Sequence, residues 1–294
     1  MSILEEYFRN GRPLSSSTLK TFFSCPRKFY FKTIGLEEQE IGSQLVLGTS
    51  VHHACDEYYK GRPIVSIDKA VHTFIRTYDT EANQIKQNGK KLLYTSSSPG
   101  KDKRDGGSMI EMFLKEYKDL NVVASECGMY VTIPVNGYNV VTYAGIDLVI
   151  DEGDGYVLAD IKTGKSGATP IYMKEDLQLN QYVYVFSRGE FGEIDHKIKR
   201  MVPYQGIFDP KSKPVKAKVI FNIRGFLKQS FCSHTVEYRS EEFNEQGFLL
   251  AFQTGIKEME LYYNIGYWPK RGVKSLHDSQ CQFCSYRNQC IKET

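Results

Sequence analysis

Between Met129 and Lys162 the chain alternates apolar with other residues through two turn signals, and this pattern restricts the region to paired strands. Val131, Ile133 and Val135 recur at period two, Asn136-Gly137 supplies a hairpin turn, and apolar residues return from Val140 to Ile150. A second turn at Asp151 to Gly155 leads into Tyr156-Val-Leu-Ala-Asp-Ile-Lys162. Strand side chains alternate faces, so Asp160 and Lys162 project together. A two-residue loop at Gly153-Asp154 sets Asp147 opposite Asp160, and one at Asp154-Gly155 sets it opposite Lys162. Either register puts all three groups on one face; a three-residue loop does not.

Two adjacent carboxylates repel each other, and a cation relieves that repulsion. Mg²⁺ suits such oxygen ligands, which leaves Lys162 to face an attacking water or phosphate charge. Taken alone, the trio reads as a surface ion-pair cluster. Two further pieces extend it. Gln178 and Tyr182 stand one helical turn apart and share a face, either as site residues or as a boundary amide and a core aromatic. Gly48-Thr-Ser-Val-His52 lies on a helix, where His52 or the adjacent His53 offers an imidazole ligand or a purely structural side chain.

Elsewhere the reading is mainly helical. Leu14 to Gly35 forms a helical entry with Ser15 or Ser16 as cap and Pro26 interrupting it near Cys25. A second helix covers about Gln44 to Lys60, with Leu47, Val51, Ala54, Cys55 and Tyr58 facing a core and Gly61 as its stop. Helices fill Ile67 to Leu120, within a helical insertion at 62–122, around a loop that composition places at Ser96 to Gly107. A helix over Lys174 to Ser187, strands between Lys197 and Glu237, and a long helix from near Ser240 to Gly266 complete the pattern.

The net charge of +3 decides nothing, but its distribution is uneven. From His196 to Lys228 basic residues face a single acid, Asp209, and a second stretch holds Lys86, Lys90, Lys91, Lys101, Lys103 and Arg104. These runs suit a polyanion or a solvated surface equally. No apolar run reaches membrane-span length and the first residues carry no export signal, so a reducing cytoplasm and no membrane are expected. There, Cys281, Cys284 and Cys290, spaced C-x2-C-x5-C, point to zinc or an iron–sulfur cluster rather than disulfides. Three thiolates need a fourth, and spacing does not choose among Cys25, Cys55, Cys127 and Cys232.

The ordered series Gly48-Thr-Ser-Val-His52, Gly145-Ile-Asp147, Asp160-Ile-Lys162-Thr-Gly164 and Gln178-Leu-Asn-Gln-Tyr182 resembles the motifs of RecB-like nucleases, a branch of the PD-(D/E)XK superfamily. The resemblance implies a single α/β domain over 1–294, with a restriction-endonuclease-like mixed central sheet flanked by helices. It implies His52, Asp147, Asp160 and the Ile161 carbonyl as ligands of Mg²⁺ or Mn²⁺, Lys162 as catalytic lysine, and Gln178 and Tyr182 as the accessory pair. Ser24-Cys-Pro26 together with the C-terminal triad resembles the AddB-type and CRISPR-adaptation subset. That likeness implies a 4Fe–4S cluster on Cys25, Cys281, Cys284 and Cys290, joining segments 14–35 and 266–294. The expected activity is DNA exonuclease, on single strands or free ends, in repair, recombination or CRISPR adaptation. No G-x-x-x-x-G-K-[ST] loop is present, so a helicase would come from a partner. The alternatives are a non-catalytic iron–sulfur DNA-binding subunit of such a complex and an electron-transfer protein.

Overall fold

The computed structural model describes residues 12–94, 97–164, 176–195, 200–206, 208–223, 232–239, 245–270, 281 and 284–292. A two-residue strand, β1 (Leu14–Ser15), opens onto α1 (Ser16–Ser24) and α2 (Pro26–Thr33). Ser15 caps α1 by accepting the Thr18 N–H, and the extended Cys25 separates the two helices, with Pro26 in the first turn of α2. Then come β2 (Glu40–Gly42), α3 (Ser43–Lys60), α4 (Ile67–Gln87), β3 (Lys91–Leu93) and α5 (Pro99–Tyr117). The long hairpin follows as β4 (Val122–Val135) and β5 (Tyr138–Asp151), with β6 (Tyr156–Gly164) beside it. The remaining elements are α6 (Leu177–Arg188), β7 (Glu190–Asp195), β8 (Arg200–Pro203), β9 (Val215–Ile223), β10 (Cys232–Arg239), α7 (Glu245–Asn264) and α8 (Arg287–Lys292).

Among the described residues, eight strands form one mixed sheet in the order β10-β9-β6-β5-β4-β7-β8, with β1 parallel to β5 at Leu14↔Thr142, while β2 and β3 pair in parallel as a separate two-stranded sheet. Within the large sheet the β6–β9 pair is also parallel, and the remaining pairs are antiparallel. Helices cover both faces, as the expected α/β class requires. On one face Leu19 and Phe22 of α1, Val183 and Phe186 of α6, and Phe252 and Ile256 of α7 pack with Met129, Val149 and Leu158. On the other, Val51 and Ala54 of α3, Phe74 of α4 and Phe113 of α5 pack with Leu148, Val157 and Ile161. Leu47, Cys55 and Tyr58 join this second core, so the α3 stripe faces inward as its period predicts.

The segment Ser96 to Gly107, expected to be a loop, is mostly the start of α5. Ser98 accepts the Lys101 N–H and Pro99 sits in the first turn, a strong helix start inside a loop-like composition. Asp102, fully buried, accepts the Tyr78 hydroxyl at 2.9 Å and the Ser97 hydroxyl. Gly106 is there for packing: a Cβ on it would lie 2.0 Å from the Phe74 ring. Gly106→Val should therefore lower stability by about 1–3 kcal/mol through overpacking. Urea unfolding checks this, and an unchanged midpoint contradicts the close approach.

Much of the clustered positive charge meets local acids. Lys213 pairs with Asp151 at 2.6 Å and Lys216 with Glu152 at 3.3 Å, across the β5–β6 turn. Lys213, then the Gly153 N–H, holds the Asp151 carboxyl below its ordinary range. In the other stretch Lys90, Lys91 and Lys103 pair with Glu37, Glu40 and Asp79. Exposed pairs of this kind are weak, but they shrink the free basic surface that composition implied. Of the basic run, Lys197, Lys199, Arg224 and Lys228 lie outside the described residues, as does the side chain of Lys218. No helix among the described residues is long and apolar enough to cross a membrane.

Candidate metal centre and its surroundings

The register of the β5–β6 hairpin decides where the carboxylates stand. Leu148 pairs with Ala159 and Asp151 with Tyr156, and the Glu152 N–H bonds the Gly155 carbonyl at 3.0 Å. The loop is thus Gly153-Asp154, with Gly153 at φ +89°, and the register continued by one residue puts Asp147 opposite Asp160. The ladder ends there because Asp147 intervenes: its Oδ2 accepts the Ile161 N–H at 2.6 Å.

Strand alternation is not kept through this point. Ala144 and Ile146 belong to the first core, whereas Leu148 and Ile150, of the same parity, belong to the second. The slip falls at Asp147. In β4 the residue between the pairs Ser125↔Leu148 and Cys127↔Ile146 is Glu126, at φ +48°. A left-handed glutamate within a strand is uncommon, and such backbone persists where surrounding structure over-determines it. Its carboxylate lies beside α3. His52 Nδ1 is 3.3 Å from Asp147 Oδ1 and 3.7 Å from Glu126 Oε1. A ligand atom from each of His52, Glu126 and Asp147 lies within 4.8 Å of the others. Sequence reasoning missed Glu126. Its only local signal is an acid in an otherwise apolar strand, which period-two counting treats as an outward residue.

The imidazole shows what the cluster wants. Burial opposes its charge, yet hydrogen bonds to Asp147 and Glu126 raise its pKa to about 10. The pull on the imidazole reflects clustered negative charge, which a bound cation would also relieve. The adjacent His53 lies off this cluster, with Nδ1 3.5 Å from the Thr77 hydroxyl.

Asp160 faces a second group of side chains. It is 1% exposed, and its Oδ1 accepts from Lys162 Nζ at 2.9 Å, Gln178 Nε2 at 2.8 Å and the Tyr182 hydroxyl at 3.3 Å. Gln178 Oε1 also accepts from Lys162 Nζ at 3.0 Å, and Gln178 Nε2 reaches the Tyr182 oxygen at 2.9 Å. Asp160 Oδ2 has Lys162 Nζ at 2.8 Å but no well-directed hydrogen bond. Burial, then the charge of Asp147, pushes the Asp160 pKa up against the pull of Lys162. Burial and Asp160 likewise keep the Tyr182 phenol protonated, its pKa well above the ordinary value. So Asp160, Lys162, Gln178 and Tyr182 form one network, and His52, Glu126 and Asp147 another beside it.

Helix α6 is anchored to place its two residues. Asp176 caps it, accepting the Gln178 and Leu179 N–H groups, and holds Lys20 of α1 at 2.9 Å. Gln181 accepts the Ser16 N–H at 2.8 Å and donates to Thr142, tying α6 to the start of α1 and to β5. The expected start of this helix at Lys174 lies outside the described residues.

Helix α2 and the turn after it meet the described part of the C-terminal segment. The Tyr286 hydroxyl donates to the Leu36 carbonyl at 3.0 Å, its ring lies 5.5 Å from Phe31, and Lys270 reaches the Cys290 carbonyl at 2.8 Å. Trp268 stacks on Tyr30 at 5.4 Å. The Cys284 N–H donates to the Cys281 carbonyl at 3.3 Å. Burial first, then Cys25 and Cys284 against Lys270 and Arg27, raises the Cys290 thiol. Cys25, Cys281, Cys284 and Cys290 are all half-buried, whereas Cys55 and Cys127 are buried elsewhere. Cys232 has no described side chain.

The sequence model for the PD-(D/E)XK nuclease superfamily matches residues 13–291. No curated protein matches the sequence. Among solved structures, the chain is similar to the one described as "Crystal structure of SSO0001". The identity is 13% and the TM-score 0.35, over 95% of this chain and 96% of that one.

Proposed function

The chain belongs to the PD-(D/E)XK nuclease superfamily, and from that premise we propose a metal-dependent DNA exonuclease of the RecB-like, iron–sulfur kind. The observation that carries the reading is the pairing of two buried carboxylates, Asp147 and Asp160, with a histidine and a lysine at one sheet position. A site that only binds DNA has no use for clustered buried acids, which repel phosphate. The donor set fits Mg²⁺ or Mn²⁺. It offers hard carboxylate oxygens and one imidazole, and Asp160 Oδ2 is buried without a well-directed hydrogen bond.

His52, Asp147, Asp160 and the Ile161 carbonyl would hold the ion, with Glu126 as an additional ligand. Bound there, a divalent ion supplies a water of lowered pKa and charge on the phosphate oxygens. The chain's own groups do the rest. Lys162, half-exposed and held by Asp160 and Gln178, points its ammonium where phosphate charge develops. Tyr182 and Gln178 hold the Asp160 carboxylate and the lysine in register, so neither swings away when substrate enters. The Ile161 N–H, bonded to Asp147, fixes that carboxylate's orientation.

The cysteine reading is supported by contacts that bring the α1–α2 junction to the C-terminal segment: the Arg27 N–H bonds the Pro269 carbonyl at 3.2 Å, Lys270 reaches the Cys290 carbonyl at 2.8 Å, and the Cys25 charge acts on the Cys290 thiol. Lys270 and Arg27 nearby supply positive charge for an anionic thiolate-bound cluster. Segments 14–35 and 266–294 then act as one subregion, and 62–122 as a helical insertion.

Digestion of end-labelled linear and covalently closed circular DNA tests the whole reading. Linear DNA should shorten from an end with Mg²⁺ or Mn²⁺ and survive in EDTA, while closed circles persist. Glu126→Gln should weaken metal activation, with more metal needed for half-maximal rate. Cleavage that persists in EDTA, or an unchanged metal requirement in Glu126→Gln, would contradict the respective assignment.

A further inference from the structure

Successive residues of a strand face opposite sides of the sheet, yet Ser125 and Glu126 of β4 both reach the same helix, α3. The Ser125 hydroxyl donates to Asp56 Oδ1 at 2.5 Å, and Glu126 Oε1 lies 3.7 Å from His52 Nδ1. Asp56 and His52 stand one helical turn apart on α3, so one face of the helix meets two consecutive residues of the strand.

The neighbouring residues show where the alternation breaks. Ala124 packs against the first core and Ser125 turns to the other side, as period two demands. Glu126 is then due on the first-core side, but Cys127 and Met129 take up that side instead. The pairs Ser125↔Leu148 and Cys127↔Ile146 put Glu126 opposite Asp147, where β5 slips as well. Both strands thus turn a carboxylate toward α3 on a single rung, and the φ of +48° at Glu126 is the backbone form of that turn.

A glutamate in the left-handed region relaxes to extended backbone unless its surroundings hold it. Extended, it would aim its carboxylate at the face covered by α1 and α6, away from His52. The residue just before it is firmly held. Ser125 is buried, its partner Asp56 is a half-buried charged acceptor, and Asp56 is itself paired with Lys60 at 2.9 Å. Helix α3 packs along the second core, so it gives the strand a rigid reference.

We infer that the Ser125–Asp56 hydrogen bond positions Glu126 for the metal: it stops β4 from relaxing at this rung and so keeps the Glu126 carboxylate beside His52 and Asp147. Ser125 and Asp56 are positioning residues, acting through Glu126 and not on the ion. The inference rests on the metal-dependent reading and adds the device that brings Glu126 to its centre.

The test is Mn²⁺ binding to the full-length protein without DNA, followed by the paramagnetic resonance of the free ion. Ser125→Ala should weaken binding about tenfold to hundredfold, the usual effect of losing a group that orients a ligand. Its melting temperature should change little, because Asp56 keeps Lys60 as partner. Ser125→Thr, which retains the hydroxyl, should bind as the wild type does. In a Glu126→Ala background Ser125→Ala should cause no further loss, since the carboxylate it acts through is gone. Losses that add in the double variant give Ser125 a role of its own in the fold and overturn the inference. So does a Ser125→Ala protein with wild-type affinity, or a Ser125→Thr protein as weak as Ser125→Ala. Wild-type protein that binds no Mn²⁺ overturns the metal centre itself, and this inference with it.

Discussion

Lys162→Ala should lower the rate of DNA cleavage by a factor of about 10²–10³ or more while leaving the protein folded. The lysine side chain is 43% exposed, so its removal opens no cavity in either core. What it loses is charge at one point. Its amine is held by both Asp160 and Gln178, and a group fixed in advance needs no reorganisation when phosphate charge develops. Tyr182 and Gln178 still donate to Asp160 in the variant, so the carboxylate stays in place. The loss should therefore fall on kcat, with DNA affinity changed little. Single-turnover kinetics at saturating metal, beside a melting curve, reads both. A folded Lys162→Ala protein that cuts at the wild-type rate removes this residue from the chemistry.

Cys284→Ser should give a protein that purifies colourless and melts at least about 5 °C lower. Each kcal/mol is worth roughly 2–4 °C in a chain of this size. Cys25 and Cys284 stand near opposite ends of the sequence, and a centre joining them closes almost the whole chain into a loop. Because the site does not exist in the unfolded chain, its binding energy is folding energy. Activity should fall too, by an indirect route. The cysteine segment packs on α2 and the turn after it through Tyr286, α2 follows α1 directly, and α1 holds α6 through Lys20–Asp176 and Ser16–Gln181. Helix α6 carries Gln178 and Tyr182. Iron and sulfide analysis after anaerobic purification distinguishes the outcomes: zinc refutes the cluster but keeps the staple, and equal melting temperatures refute the staple.

Parts of this organisation were legible residue by residue. Ser15 capping α1, the break at Cys25-Pro26 and the inward stripe of α3 follow from local preferences that act within a few residues. The hairpin β4–β5 turned at Asn136-Gly137 as its dipeptide requires. The stretch around α5 misled because glycine and serine mark loops only where nothing packs against them. Here Ser98 starts a helix, and Gly106 lets it press on Phe74. Strand β7 also escapes the sequence pattern, since it precedes Lys197, where that pattern places the next strands.

By itself the sequence determined which groups could meet. Period two puts Asp160 and Lys162 on one side of β6, and a helical turn joins Gln178 to Tyr182, because both rules depend only on backbone geometry. The tertiary structure decided which groups do meet. It selected the Gly153-Asp154 register over its neighbour, placed His52 rather than His53 beside Asp147, and brought Cys25 rather than Cys55 or Cys127 toward Cys290. It also brought Glu126 beside His52 and Asp147, through a left-handed backbone and a slip in strand alternation. The reason is common to all four. Each choice depends on how α3, β4, β5 and the two chain ends pack across distances that no local period encodes, and packing is settled only when the whole core forms.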